Sequence, residues 1–331
     1  MKGKLQVESI SSQVLKGNPL GDPHRREVPV YLPPSYGQKG RRLPVLYYLA
    51  GFTGTGRGTM NYNPWKENIF ERLDRLIASG RARECVLIAP DCFTAYGGSQ
   101  YVDSTATGRY ETHLVSEVVP YLEDKLAVGG SPAVRGLIGK SSGGFGALTV
   151  GMRHPELFGH VACHSGDMFF EPGYGADIPK FIAALGKYGG SAKRFAREFL
   201  ASPRKDLFPH EGINLIAMAA CYSPNPAAPL GFDLPFDEET GELIPKVWAR
   251  WKAWDPVEAA PRHRAALKAL KTLYFDCGTK DEFFLFLGAR KLSRVLKGLG
   301  VAHRYEEHGL GHFDMSERYD VSMELITKRM K

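Results

Sequence analysis

The stretch Gly139-Lys140-Ser141-Ser142-Gly143-Gly144-Phe145-Gly146 contains the pattern G-x-S-x-G at Gly139, Ser141 and Gly143. A serine hydroxyl is a weak nucleophile. It works when a base takes its proton and donors hold the oxyanion that forms. The glycine spacing suits a sharp strand-to-helix turn that lifts the hydroxyl above the strand end, with small residues two before and two after to avoid clashes. Ser141 is the serine so placed, because choosing Ser142 would put bulky Lys140 at the tight position. The backbone N–H of Ser142 then becomes one oxyanion donor. A phosphate loop is the competing reading, but its G-x-x-x-x-G-K-[ST] spacing is absent.

The base and its orienting acid should follow in the chain order Ser, Asp or Glu, His. Leu273-Tyr274-Phe275-Asp276-Cys277-Gly278-Thr279-Lys280-Asp281 offers two acids. Asp281, beyond the Gly-containing turn, is preferred over Asp276, which falls within a strand end; Asp281 also suits an N-cap of the following helix. Among the late histidines, His303 falls in a strand candidate and His308 reads as a surface residue. His312, in Gly309-Leu310-Gly311-His312-Phe313-Asp314, is the expected base. His308 and His312 form H-x-x-x-H without the glutamate of a zinc protease, so no metal is expected. The second oxyanion donor is expected from Ala50-Gly51-Phe52-Thr53-Gly54-Thr55-Gly56, at the N–H of Phe52.

The elements that must position these residues alternate. Runs apolar at every position, at 28–32, 43–49, 85–89, 134–138, 160–163 and 272–275, with a weaker one at 302–305, suit strands buried on both faces of a parallel sheet. Helical spacing of apolar residues marks 64–78 (through Trp65, Ile69, Phe70, Leu73 and Ile77), 111–126, 145–153 and 281–299. Such alternation predicts an α/β fold with right-handed crossovers. The stretch 167–264 breaks the rhythm. It is read as a helical insertion within one domain spanning 1–331, sitting over one edge of the sheet, with 236–244 forming a turn between short strands.

With 43% hydrophobic and 24% charged residues, the chain is of ordinary globular composition, which excludes collagen-like and wholly disordered classes. The net charge of +7 invites a nucleic-acid or membrane partner. Yet the basic residues fall in pairs with no long run or stacking motif, so neither partner is expected. The densest basic stretch, Lys187 to Lys205, reads as a solvated helix face, with docking of an anionic ester as the alternative. Five widely spaced cysteines with no CxxC pair argue against a disulfide framework or a structural zinc site. No signal peptide is visible at Met1-Lys2-Gly3-Lys4, so a cytoplasmic location is expected, and a homo-oligomer is compatible with the chain.

Taken together, Tyr47 to Thr55, Pro90-Asp91, Gly98 to Ser104, the serine turn, His164-Ser165-Gly166, Asp276 to Asp281 and Gly311-His312 resemble the esterase D and enterochelin esterase-like branch of the α/β-hydrolases. The resemblance implies a mostly parallel central sheet with helices on both faces and a helical lid. It implies a triad of Ser141, Asp281 and His312, an oxyanion hole from Phe52 and Ser142, and no cofactor. The branch includes S-formylglutathione hydrolases, feruloyl and acetyl xylan esterases, siderophore esterases and mycolyltransferases. The chain departs from the first group at Gly54-Thr55-Gly56, at Lys140 and at Ser142. Trp248, Trp251 and Trp254 are expected to pack the insertion rather than line an acyl pocket. The expected function is a serine carboxylesterase acting on a small or medium ester. The alternatives are an acyltransferase or thioesterase using the same triad, and a non-catalytic binding module on the same fold.

Overall fold

The structure, a computed structural model, describes residues 1–330. Ten strands run β1 (Lys4–Ser11), β2 (Arg25–Leu32), β3 (Val45–Leu49), β4 (Val86–Ile88), β5 (Asp103–Ser104), β6 (Gly108–Arg109), β7 (Arg135–Lys140), β8 (His160–His164), β9 (Thr272–Gly278) and β10 (Arg304–His308). Eight form one sheet in the order β1-β2-β4-β3-β7-β8-β9-β10. β1, β2 and β4 are joined by antiparallel pairings, and every pairing from β4 to β10 is parallel. β5 and β6 form a small separate hairpin.

Period-two geometry explains why the central strands are apolar throughout. Tyr47, Leu137, Val161, Cys163 and Phe275 pack into one buried cluster, while Leu46, Ile138, Ala162 and Tyr274 pack into another on the opposite face. The first cluster includes residues of the helices Val119–Leu126, Ser142–Arg153 and Leu285–Gly298, and the second includes residues of Ile69–Ala78 and Arg318–Arg329. The sheet is therefore covered on both faces, as expected.

Several expectations are corrected. The first helix starts at Ile69 and not at Pro64, because Asn68 and Glu71 form a capping box there. Trp65 lies before that cap and is 92% exposed, so it belongs to no apolar helix face. The segment at 111–126 is helical but changes pitch, with a π-turn over His113–Val118 before Val119–Leu126. Lastly, the insertion does not sit over a sheet edge. It leaves β8 and re-enters at β9, which are hydrogen-bonded neighbours within the sheet.

The insertion has its own apolar cluster. Phe170, Phe181, Phe195, Tyr222 and Trp251 pack with Tyr96, Val102 and Phe145 of the sheet domain. Trp251 is fully buried, and its indole N–H donates to Ser223 Oγ at 2.8 Å. Trp248 is buried beside Trp251, and Trp254 stacks on Tyr222. All three tryptophans are packing residues. Between Phe236 and Leu243 there is a single bridge closed by a turn, rather than two strands.

Candidate active site

Ser141 stands where β7 ends and the helix Ser142–Arg153 begins, with φ 58° and ψ −128°. That left-handed φ is strained for a residue with a Cβ, and the surroundings enforce it. Its N–H donates to His164 O at 3.0 Å, tying the turn to β8. The neighbouring glycines are steric necessities. A Cβ on Gly143 would lie 1.9 Å from Leu49 O, and one on Gly139 would lie 2.3 Å from Gly143 O. No larger residue fits either position without moving backbone.

The other candidates sit at the carboxyl ends of parallel strands, where ligands bind in open α/β sheets. Phe52 follows β3, Asp281 follows β9 and His312 follows β10. His312 Nδ1 is 2.8 Å from Asp281 Oδ2, and both residues are buried. Asp281 Oδ1 also accepts from the N–H of Phe283 at 3.0 Å, so the same carboxylate caps its own turn and holds the imidazole. Burial pushes the Asp281 carboxyl up, but His312 and the Phe283 N–H outweigh it and hold it below the ordinary aspartate value. The imidazole is wedged edge-on against Phe283 and Phe313.

Ser141, Ser142, Phe52 and His312 line one cavity of about 310 Å³, together with insertion residues from Asp167 to Asp177 and with His210 and Asn214. Among the described residues no hydrogen bond joins Ser141 to the imidazole; such contacts commonly tighten only on substrate binding. The oxyanion loop holds its own shape. Thr53 N–H donates to Gly97 O at 2.8 Å and Gly54 N–H to Gly51 O at 2.9 Å, and neither bond uses the N–H of Phe52.

Lys140 connects the serine turn to the histidine loop. Its Nζ donates to His312 O at 2.9 Å and lies over the Phe313 ring. Burial pulls its ammonium below the ordinary lysine value, against the nearby charges of Asp281, Glu282 and Asp314. Lys140→Met should lower kcat for an ester about tenfold through loss of histidine placement, with a smaller change in KM, as steady-state kinetics would register.

Asp276, the other acid considered, is committed elsewhere. Its carboxylate accepts from His164 Nδ1 at 2.7 Å, Tyr274 OH at 2.7 Å and Arg318 Nε at 2.7 Å. His164 Nε2 lies 2.8 Å from Ser322 Oγ. This Ser322, His164 and Asp276 relay is sealed in the core and tethers the C-terminal helix to β8 and β9. Burial raises the Asp276 carboxyl, but His164, Tyr274 and Arg318 overcome it and bring it down to about 2. An unfolded aspartate titrates near 3.9. The unfolded state therefore binds more protons between those values, and stability rises with pH there. The contribution of Asp276 is complete above about pH 4 and is lost as pH falls through about 2. In thermal melts, the Tm gap between the native chain and Asp276→Asn should be constant above that window and shrink within it.

His303 bonds Val301 O and Ser293 Oγ, and His308 ends β10 with both ring nitrogens buried and unpartnered. Neither lines the cavity. The basic stretch does not line it either. Arg194 pairs with Glu198, Arg204 with Asp206, and Lys205 binds the carbonyl of Leu200. The cavity instead carries the insertion carboxylates Asp167 and Asp177. Reading the chain alone missed a polar cluster of Gln100, Asp167, Tyr174 and Tyr222, which meet behind Ser142. The available signal was position, since Asp167 follows His164-Ser165-Gly166 just past the end of β8.

Comparison with known proteins agrees with this architecture. The family model described as "Putative esterase" matches residues 23–317. An uncharacterized protein of Bacillus subtilis is 26% identical over 164 residues, which are 44% of this chain and 58% of that protein. An esterase of Mycobacterium tuberculosis is 28% identical over 211 residues, which are 60% of this chain and 43% of that protein. The match thus spans about half the length of these curated relatives. A ferulic acid esterase structure superposes with a TM-score of 0.63 at 21% identity, covering 99% of each chain, which establishes the shared fold. No helix among the described residues is long and apolar enough to cross a membrane. A family match over most of the chain, on a mostly parallel sheet of this order, makes the chain a member of the putative esterase family with an α/β-hydrolase fold.

Proposed function

We propose that the chain hydrolyses carboxylic esters of small or medium size through an acyl-serine intermediate on Ser141. The observation that carries the reading is that His312, held from behind by buried Asp281, lines the same cavity as a strained Ser141. Ser141 Oγ attacks the carbonyl carbon while His312 Nε2 takes its proton. The N–H groups of Phe52 and Ser142 hold the oxyanion, and Asp281 keeps the imidazole in the tautomer that presents a free Nε2. The tetrahedral intermediate collapses, and the leaving alcohol departs with the proton from His312. Water then attacks the acyl-serine carbonyl while giving a proton to His312, and the second tetrahedral intermediate collapses as His312 returns that proton to Ser141 Oγ, releasing the acid and free Ser141. The insertion 167–264 acts as a lid that walls the cavity with residues from Asp167 to Asp177 and with His210 and Asn214. A cavity of about 310 Å³ suits a modest acyl or alcohol group better than a long chain.

The test is a panel of carboxylic esters of graded acyl length, with feruloyl esters and S-formylglutathione, run with and without added alcohol. Free acid released from at least one ester is expected. Transfer to the alcohol in preference to water would replace hydrolysis by acyl transfer, and no turnover of any ester would overturn the reading.

A further inference from the structure

The carboxylate of Asp167 is fixed through one oxygen only. Its Oδ2 accepts from Gln100 Nε2 at 3.0 Å, Tyr174 OH at 3.1 Å and Ser142 Oγ at 3.2 Å. Its Oδ1 has no hydrogen-bond partner among the described residues, yet it is not one of the sealed, unsatisfied atoms. It is therefore open to the cavity that Asp167 lines. No lysine or arginine pairs with this carboxylate among the described residues; burial raises its carboxyl, against the hydrogen bonds from Gln100, Tyr174 and Ser142 that lower it. Through Ser142 it stands one residue from the nucleophile, close to where the reacting carbonyl must lie.

An acceptor left unpaired when substrate displaces water from a cavity costs free energy, and a substrate that brings a donor avoids that cost. An ester with only hydrocarbon beside its carbonyl would leave Oδ1 unpaired. We infer that Asp167 Oδ1 is a specificity site for a hydrogen-bond donor, a hydroxyl or an ammonium, carried by the substrate next to the scissile ester. The inference rests on the esterase reading and narrows its substrate class. Three protein donors on Oδ2 keep the carboxylate from swinging away, so the site is preorganised.

The test compares esters matched in size, followed by acid release. Ethyl lactate and alanine ethyl ester against ethyl propanoate place a hydroxyl or an ammonium on the acyl part. Glycol monobutyrate against propyl butyrate places a hydroxyl on the alcohol part. A donor-bearing ester should be preferred about tenfold or more in kcat/KM, as expected for a hydrogen bond to a charged group. The arm that shows the preference identifies the donor and its side of the ester. In Asp167→Asn the oxygen can still serve Gln100, Tyr174 and Ser142, while an N–H replaces Oδ1 toward the cavity. The preference should then fall to about one or invert. Asp167→Ser serves as a second variant, and fluorophosphonate labelling of Ser141 reports that each variant is folded. No preference in any arm, or a preference that survives both substitutions, overturns the inference. A proportional loss on both members of a pair also overturns it, since that is what a merely positioning role produces. Failure of the native chain to turn over any ester, without labelling of Ser141, overturns the esterase reading instead.

Discussion

Ser141→Ala should lower kcat for an activated ester about ten-thousand-fold or more, with the thermal transition nearly unchanged. Removing the nucleophile leaves only binding and the oxyanion donors, whose residual catalysis over water is small beside the acyl-serine route. The substitution is a clean one structurally. Alanine keeps the Cβ, so the positive φ at this turn is as strained as before. The bond from this N–H to His164 O survives, and the glycines on either side still let the backbone pass under Leu49. A large fall in Tm would mean that the hydroxyl is structural, which its position on a cavity wall does not predict.

The two late aspartates should separate activity from stability. Asp281→Asn should reduce kcat about a thousandfold or more while the protein stays folded. An amide at this position favours the wrong imidazole tautomer and cannot stabilise the imidazolium that forms in the transition state. Its other task, capping the turn at Phe283, needs one oxygen and is retained by asparagine. Asp276→Asn should do the reverse. It removes the charge opposite His164 and Arg318 in a sealed network and should cost about 3 kcal/mol, the lower end for a broken buried pair, because Arg318 keeps Glu306 as a partner. Chemical denaturation and kcat measured on both variants check the crossing pattern. If Asp276→Asn abolished turnover and Asp281→Asn did not, the roles would be exchanged.

How much of this was legible in the chain differs from residue to residue. Gly139 and Gly143 announce the turn because no other residue fits where backbone meets backbone, so Ser141 could be read directly. Asp281 could be reached because it follows β9, which an apolar run reveals, and His312 because it lies in a Gly-rich loop near the C-terminus; β10 itself, Arg304–His308, has no apolar run, and 302–305 marks it only approximately. β1 was harder, since this edge strand, paired on one side, alternates polar with apolar residues, is half-buried along most of its length and has no apolar run. Trp65 was misplaced because helical spacing was followed past Asn68, although the Asn68…Glu71 spacing of a capping box is visible in the chain. The placement of the insertion also escaped, since chain order says that it joins two strands but not that those strands are neighbours. The cluster around Asp167 was the least legible. Gln100, Ser142, Asp167, Tyr174 and Tyr222 come from separate segments, and only the packing of the insertion over the elbow brings them within hydrogen-bond distance.

These assignments share one premise, that Ser141 is the residue that becomes acylated. The direct measurement is to inactivate the full chain with a fluorophosphonate and locate the adduct by peptide mass spectrometry, while following ester hydrolysis in the same samples. One adduct per chain, on Ser141, with activity lost in proportion to labelling, is the expected result. An adduct on any other serine, or full activity with Ser141 modified, would contradict the account.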